Sequence, residues 1–140
     1  MDKFELRNPQ GDIFAIISKA EHNPWIYVQW VGYIDVDTVK QGVLEISRFT
    51  RDIKCPYVLS DRRVAQGNWF EINNWLEHKW APEAIKSGLQ YLAHVMAPMA
   101  NSQMSSQDLE SRVLTFNFKS FLSLEAAENW LRQIAERAVS

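Results

Sequence analysis

Residues 25–61 read WIYVQWVGYIDVDTVKQGVLEISRFTRDIKCPYVLSD, and this stretch decides the fold. Its first six residues are β-branched or aromatic at most positions, which favours a strand. Apolar residues then recur at three- and four-residue steps, which predicts an amphipathic helix with Asp35 or Asp37 as its N-cap. These residues are Val36, Val39, Val43, Ile46 and Phe49. The apolar run 57–59 predicts a buried strand, so the stretch predicts two parallel strands joined by a right-handed crossover. Gly42, inside the helix, is expected to permit a close approach to a neighbouring strand.

The rest of the chain continues the alternation of strands and helices. Short β-prone runs on both sides of residues 8–11 predict an N-terminal antiparallel hairpin. A second helix is expected to begin with Asn68 as its N-cap, and segments 62–67 and 98–107 are expected to be loops. Further strands are predicted at 89–96 and 114–118, and further helices at 106–112 and after a Ser123 cap. The fold class is therefore α/β, with a mixed, largely parallel central sheet of about five to six strands and about four helices.

Composition limits the class of protein. The length of 140 residues predicts one domain over residues 1–140. Fifteen Lys and Arg oppose 17 Asp and Glu, and the absence of a basic stripe argues against nucleic-acid binding. Cys55 is the single cysteine, which is typical of a reducing compartment. No segment has the ~20 apolar residues of a membrane span, and the N-terminus lacks a signal-peptide pattern. We therefore expect a cytoplasmic protein that binds neither nucleic acid nor membranes.

Four short features occur together along the chain. They are Trp30-Val31-Gly32 after a strand, Tyr57-Val58-Leu59-Ser60-Asp61 after the first helix, Gly88 between a Trp-rich helix and Tyr91-Leu92-Ala93, and FLSLEAAENWL at 121–131. In this combination the chain resembles the SpoIIAA-like fold of STAS domains, and most closely the small stand-alone bacterial SpoIIAA-like proteins of unknown function. The resemblance implies a SpoIIAA-like sheet with an added N-terminal hairpin.

The resemblance carries no assigned chemistry to this sequence. In anti-sigma-factor antagonists, the turn after the strand equivalent to 57–59 holds a phosphorylatable Ser or Thr in an Asp-Ser-Ser-Gly-like sequence. Here the turn reads Ser60-Asp61-Arg62-Arg63, and no Ser-Gly follows. The phosphorylation switch is therefore not expected. Lipid-binding domains of the Sec14 type have a related sheet and bury an apolar ligand, which is an analogy of fold alone.

The first candidate site is the run Asp61, Arg62 and Arg63. It follows a predicted buried strand, and ligands of open α/β sheets favour the carboxyl ends of parallel strands. Two guanidinium groups beside a carboxylate are suited to positioning an anion or a polar partner. The alternative is that Asp61 caps a turn and the two arginines lie in solvent or pair with surface carboxylates.

The second candidate is an interface formed by Trp69, Phe70 and Trp75. The stripe at helical spacing that contains Trp69 and Trp80 favours packing in the core of the domain itself. Phe70 and Trp75 lie off that stripe, and soluble monomers seldom expose several adjacent large apolar side chains. A surface for a partner or for self-association is therefore predicted there.

The sequence contains no recognisable catalytic, phosphate-binding or metal-binding motif. His22, His78 and His94 lack the spacing of metal ligands, and Cys55 has no local base. No glycine-rich phosphate loop or nucleophile elbow occurs. We therefore expect no metal, no cofactor and no enzyme activity. The sequence favours a regulatory protein-interaction module that forms a homodimer; the alternative is a carrier or sensor of a small apolar or anionic ligand, with residues 61–63 at the pocket mouth.

Overall fold

The computed structural model describes residues 3–67 and 69–138. Its centre is a six-stranded sheet in which the strands lie side by side in sequence order. The strands are β1 (Phe4–Arg7), β2 (Ile13–Ser18), β3 (Ile26–Tyr33), β4 (Tyr57–Gln66), β5 (Tyr91–Val95) and β6 (Asn117–Phe121). The pairs β1–β2 and β2–β3 are antiparallel, and β3 to β6 are parallel neighbours. The mixed, largely parallel sheet and the N-terminal hairpin are confirmed.

Four helical segments cover the sheet. They are α1 (Val36–Ile53), α2, α3 (Ala100–Arg112) and α4 (Leu124–Ala138). Segment α2 is continuous but changes its winding: a 3-10 turn at Phe70–Ile72, an α-turn at Asn73–Trp75, a π-helical turn at Leu76–Trp80 and an α-helix at Ala81–Lys86. The predicted Asn68 cap lies outside the described residues.

The structure contains the helix caps predicted at Asp35 and Ser123 and the close approach predicted at Gly42. Asp35 caps α1 by accepting a hydrogen bond from Thr38 N at 2.9 Å, and Ser123 Oγ accepts one from Ala126 N at 3.2 Å. Gly42 lies against Trp30: a Cβ atom at this position would be 2.5 Å from Cη2 of that indole. The glycine is therefore required by packing between α1 and β3.

The two faces of the sheet are covered unequally. Helices α1, α2 and α3 pack on one face, which we call the three-helix face, over Val28, Val58 and Leu92. Helix α4 alone covers the other face, which we call the α4 face, with Ala127 and Leu131 on the strands. Because side chains alternate along a strand, neighbouring residues of β4 belong to different cores.

Three boundaries differ from the prediction. Segment 62–67 is not a loop, because β3 runs on to Tyr33 and pairs with β4 as far as Gln66. Most of segment 98–107 is helical, in α3 rather than in a polar connection. The last strand is Asn117–Phe121 and not 114–118, since β5 pairs with those residues in parallel register.

Candidate functional site

The run Ser60 to Arg63 is divided between the two faces of the sheet. Ser60 and Arg62 point to the three-helix face, where they reach Trp30 and α3. Asp61 points to the α4 face and bonds to Tyr27. The pairing of β3 with β4 shifts register between residues 29 and 31, which is the geometry of a bulge in β4, with Arg62 and Arg63 opposite Trp30. The structure therefore does not bring Asp61, Arg62 and Arg63 together as one anion site.

Asp61 and Arg63 neutralise one another. The Asp61 side chain is 2% exposed, and its Oδ2 lies 2.9 Å from Arg63 Nη2 and 2.5 Å from the Tyr27 hydroxyl. Burial opposes ionisation of Asp61, but the hydrogen bonds from Arg63 and Tyr27 outweigh it and hold the pKa of the carboxyl below its usual value. Burial, with the neighbouring carboxylate, raises the pKa of Tyr27. This cluster has all its charges paired.

Arg62 is in the opposite situation. It is 1% exposed, and among the described residues no carboxylate pairs with it. Its Nη1 donates to Ser102 Oγ at 3.1 Å, its Nη2 donates to the Gly67 carbonyl, and its Cζ lies 3.9 Å from the centroid of the Trp69 ring. Burial lowers the pKa of the guanidinium to about 10, so it stays charged at neutral pH. Arg62 is thus a buried cation with no counter-ion among the described residues.

A cavity of about 50 Å³ adjoins this cation between β3–β6 and the three helices. Most of its lining is apolar, including Val39, Val43, Leu76, Leu92, Leu109 and Phe118. Arg62, Trp69 and Trp80 also line it, and each has one buried N–H for which no described residue supplies an acceptor: Nε of the arginine and Nε1 of each indole. Three residues of the cavity wall therefore carry donors that the described part of the chain does not satisfy.

A neutral polar pair forms the floor of the cavity. Ser60 Oγ accepts a hydrogen bond from Trp30 Nε1 at 2.9 Å and lies 3.1 Å from His94 Nδ1. Burial, reinforced by the charge of Arg62, lowers the pKa of His94 to about 3. His94 is therefore uncharged at neutral pH, and the indole and the imidazole hold the serine hydroxyl in place. The ring of His94 also stacks on Phe118.

Helix α3 covers the cavity with two serines beside the apolar Leu109. Ser102, Ser105 and Ser106 are all buried, and the last two line the cavity. Asn73 of α2 donates to the Ser105 carbonyl at 2.8 Å and to Asp108 Oδ2 at 3.0 Å. Polar bonds therefore fasten this helix over the cavity.

Arg112, Asp108 and Glu77 form an ion-pair clasp that joins the C-terminal end of α3 to α2. Arg112 Nε donates to Asp108 Oδ2 at 2.8 Å, and its Nη1 lies 3.2 Å from Glu77 Oε1. Arg112 and both carboxylates are about one-third exposed, so this clasp is reached by water. Such pairs contribute little to stability and open readily.

The predicted interface residues have three different environments. Trp69 is 7% exposed and packs inside, edge to face with Trp30 at 5.1 Å. Trp75 is half-buried, with Lys40 Nζ 5.3 Å from its ring centroid. Phe70 is 43% exposed. Trp69 thus serves the core and the cavity, whereas the interface at Phe70 and Trp75 stays a prediction.

The described residues contain neither a group of metal ligands nor a membrane-spanning helix. Between residues 3 and 67 and between 69 and 138, no three His, Cys, Asp or Glu side chains form a group able to hold a metal ion. None of the helices in those same ranges has the length and apolarity needed to cross a bilayer.

The fold of this chain is similar to that of one solved structure. It is the crystal structure of an uncharacterized protein of the DUF3478 family with a SpoIIAA-like fold, from Shewanella loihica PV-4. The two superpose with a TM-score of 0.53 over 84% of this chain and 91% of that chain, at 16% sequence identity. This chain has a SpoIIAA-like fold. No family model and no curated protein matches its sequence.

The SpoIIAA-like fold predicted from the sequence is confirmed. At 16% identity the likeness concerns the arrangement of strands and helices alone. The site of this SpoIIAA-like domain must therefore be interpreted from its own residues, of which the cavity beside Arg62 has the most distinctive chemistry.

Proposed function

We propose that this protein is a non-enzymatic carrier or sensor that binds a small organic anion in the cavity, with the anionic group on Arg62. The observation that carries the proposal is the buried guanidinium, which lacks a carboxylate partner among the described residues. Removing an ion from water costs several kcal/mol, and proteins ordinarily offset that cost with a counter-ion. A bound anion would supply the missing charge.

The unsatisfied donors support the same ligand. Buried polar groups in proteins nearly always have a hydrogen-bond partner, so three N–H groups around one cavity that no described residue satisfies require an explanation. An anion brings several acceptor oxygens to the N–H groups of Arg62, Trp69 and Trp80. Charge-assisted hydrogen bonds of this kind are about twice as strong as neutral ones.

The size of the cavity limits the ligand. Its volume of about 50 Å³ is well below the ~150 Å³ of an apolar cavity that binds benzene. The ligand is therefore smaller than benzene, and the candidate we propose is a short aliphatic carboxylate no larger than propanoate. The apolar side chains of α1 and α2 would contact its carbon atoms, and Arg62 its oxygens.

The polar floor supports binding in preference to catalysis. Ser60 and His94 form a hydroxyl–imidazole pair, which superficially resembles a nucleophile and its base. An efficient general base has a pKa near the working pH, whereas that of His94 is lowered to about 3. The described residues place no carboxylate in hydrogen-bond contact with this imidazole. The pair therefore orders the cavity wall and does not activate a nucleophile.

Calorimetric titration of short carboxylates tests the proposal. We expect saturable binding of propanoate, no binding of the uncharged isostere propanamide, and loss of binding in Arg62→Met. Arg132→Met is the matched control, because Arg132 lies on α4, on the other side of the sheet, against Trp25. Equal heats for propanoate and propanamide, or unchanged binding in Arg62→Met, would contradict the proposal.

A second candidate function is self-association into a homodimer that binds a protein partner. The observation that favours it is the open edge of the sheet at β6, flanked by Leu114 and Leu122, which are 82% and 71% exposed. Unpaired strand edges and exposed apolar side chains are common features of contacts between chains. Light scattering across a range of concentrations tests it: Leu122→Asp should shift a dimer to monomer, and Leu44→Asp on α1 should not. A monomer at every concentration contradicts the idea.

A further inference from the structure

The cavity holds one permanent charge. Among its lining residues, Arg62 is the single ionised group, and the others are apolar or neutral polar side chains. His94, the other titratable lining residue, stays neutral because burial and Arg62 oppose its protonation. Asp61 and Arg63 lie on the α4 face, where each is satisfied by the other. The site can therefore neutralise one negative charge and no more.

One nitrogen of the guanidinium is not engaged by any described residue. Its Nη1 donates to Ser102 Oγ, and its Nη2 donates to the Gly67 carbonyl. Its Nε has no hydrogen-bond partner among the described residues and is wholly available to an oxygen of a ligand. The anionic group of a ligand would therefore bind at this N–H, beside the apolar lining of the cavity.

Resting on the proposed function, we infer that the cavity selects monoanions and rejects dianions, so that its ligands are carboxylates and not phosphate monoesters. A second negative charge would lie among Val43, Leu76 and Phe118 with no cation to offset it. In a medium of low dielectric constant an unpaired charge of this kind is strongly unfavourable. Charge count, and not the shape of the anion, is the basis of the selectivity.

Two probes of nearly the same shape separate charge from geometry. Methanesulfonate carries one negative charge, and methylphosphonate carries two above its second pKa; neither has more non-hydrogen atoms than propanoate. We expect methylphosphonate to bind at least about tenfold more weakly than methanesulfonate and propanoate at a pH above that pKa. At a pH well below it, where the phosphonate is a monoanion, the difference should shrink.

The outcomes distinguish this inference from the proposed function. If methylphosphonate binds as tightly as methanesulfonate above its second pKa while Arg62→Met abolishes both, the function stands and the selectivity is overturned. If neither probe nor propanoate binds, the proposed function fails and the selectivity with it. Ser60→Ala provides a check on mechanism: it removes a neutral hydroxyl, so the ratio of the two affinities should not change.

Discussion

Replacing Arg62 by methionine should leave the stability of the ligand-free protein nearly unchanged. The substitution removes two hydrogen bonds from a charged donor and a cation–π contact with Trp69. Together these contribute about 5–8 kcal/mol. The same change removes the penalty of several kcal/mol for keeping an ion out of water. Because the two effects nearly cancel, we expect the free energy of unfolding to change by less than ~2 kcal/mol.

The neighbouring arginine provides the comparison. Arg63→Met would leave the buried Asp61 carboxylate with Tyr27 as its remaining side-chain donor. Breaking a buried pair costs ~3–5 kcal/mol, and we expect the lower end because Arg63 is 43% exposed. Urea unfolding of both variants at neutral pH measures the two losses. If Arg62→Met lost more than ~4 kcal/mol, or more than Arg63→Met, Arg62 would be a structural residue and the reasoning would be refuted.

Three further perturbations test the packing and the buried polar groups. Gly42→Ala should destabilise the protein by about 1–3 kcal/mol in urea unfolding, because its Cβ would collide with the Trp30 ring; a gain in stability would show that α1 moves freely. The pKa of His94 is lowered to about 3 in the folded state, whereas in the unfolded chain His94 protonates near pH 6.5. The contribution of the neutral imidazole to the free energy of unfolding is therefore fully present above about pH 6.5 and is lost as the pH falls toward 3. The expected slope is about 1.4 kcal/mol per pH unit, and His94→Gln should flatten it; equal slopes in both proteins would be the contrary result. Tyr27→Phe removes a hydrogen-bond donor to the buried Asp61 carboxylate and should lower the free energy of unfolding by about 1.5–3 kcal/mol. It should also raise the pKa of Asp61, which NMR titration of the carboxyl group measures; an unchanged pKa would contradict the assigned contact.

The architecture was predictable because its signals are periodic. Apolar residues at helical spacing predicted α1, and the run 57–59 predicted the start of β4. The full length of β4 was not predicted, because residues 60–63 are polar and charged and such a run predicts a loop. The pairing with β3, a contact distant in sequence, decides that these residues continue the strand.

The candidate site was only partly predictable. Arg62 was identified, but its two neighbours were assigned to the same site; alternation along β4 sends Asp61 to the opposite face. The predicted helix at 106–112 is the second half of α3; its first half was missed because the buried side there is made of Ser102, Ser105 and Ser106, which carry no apolar signal. Together with Leu109, these serines recur at steps of three and four residues, which is the spacing of one face of a helix. A search for polar helical stripes would have found it.

The most direct test of anion binding at Arg62 is the proton–nitrogen NMR spectrum of the side-chain N–H groups during a titration with propanoate. The Nε–H signal of Arg62 and the indole signals of Trp69 and Trp80 are assigned by comparison with single substitutions. The account predicts that these three signals shift together and saturate, because none of these N–H groups has an acceptor among residues 3–67 and 69–138. If they stay in place while backbone signals on the surface move, the anion binds elsewhere and the account is contradicted.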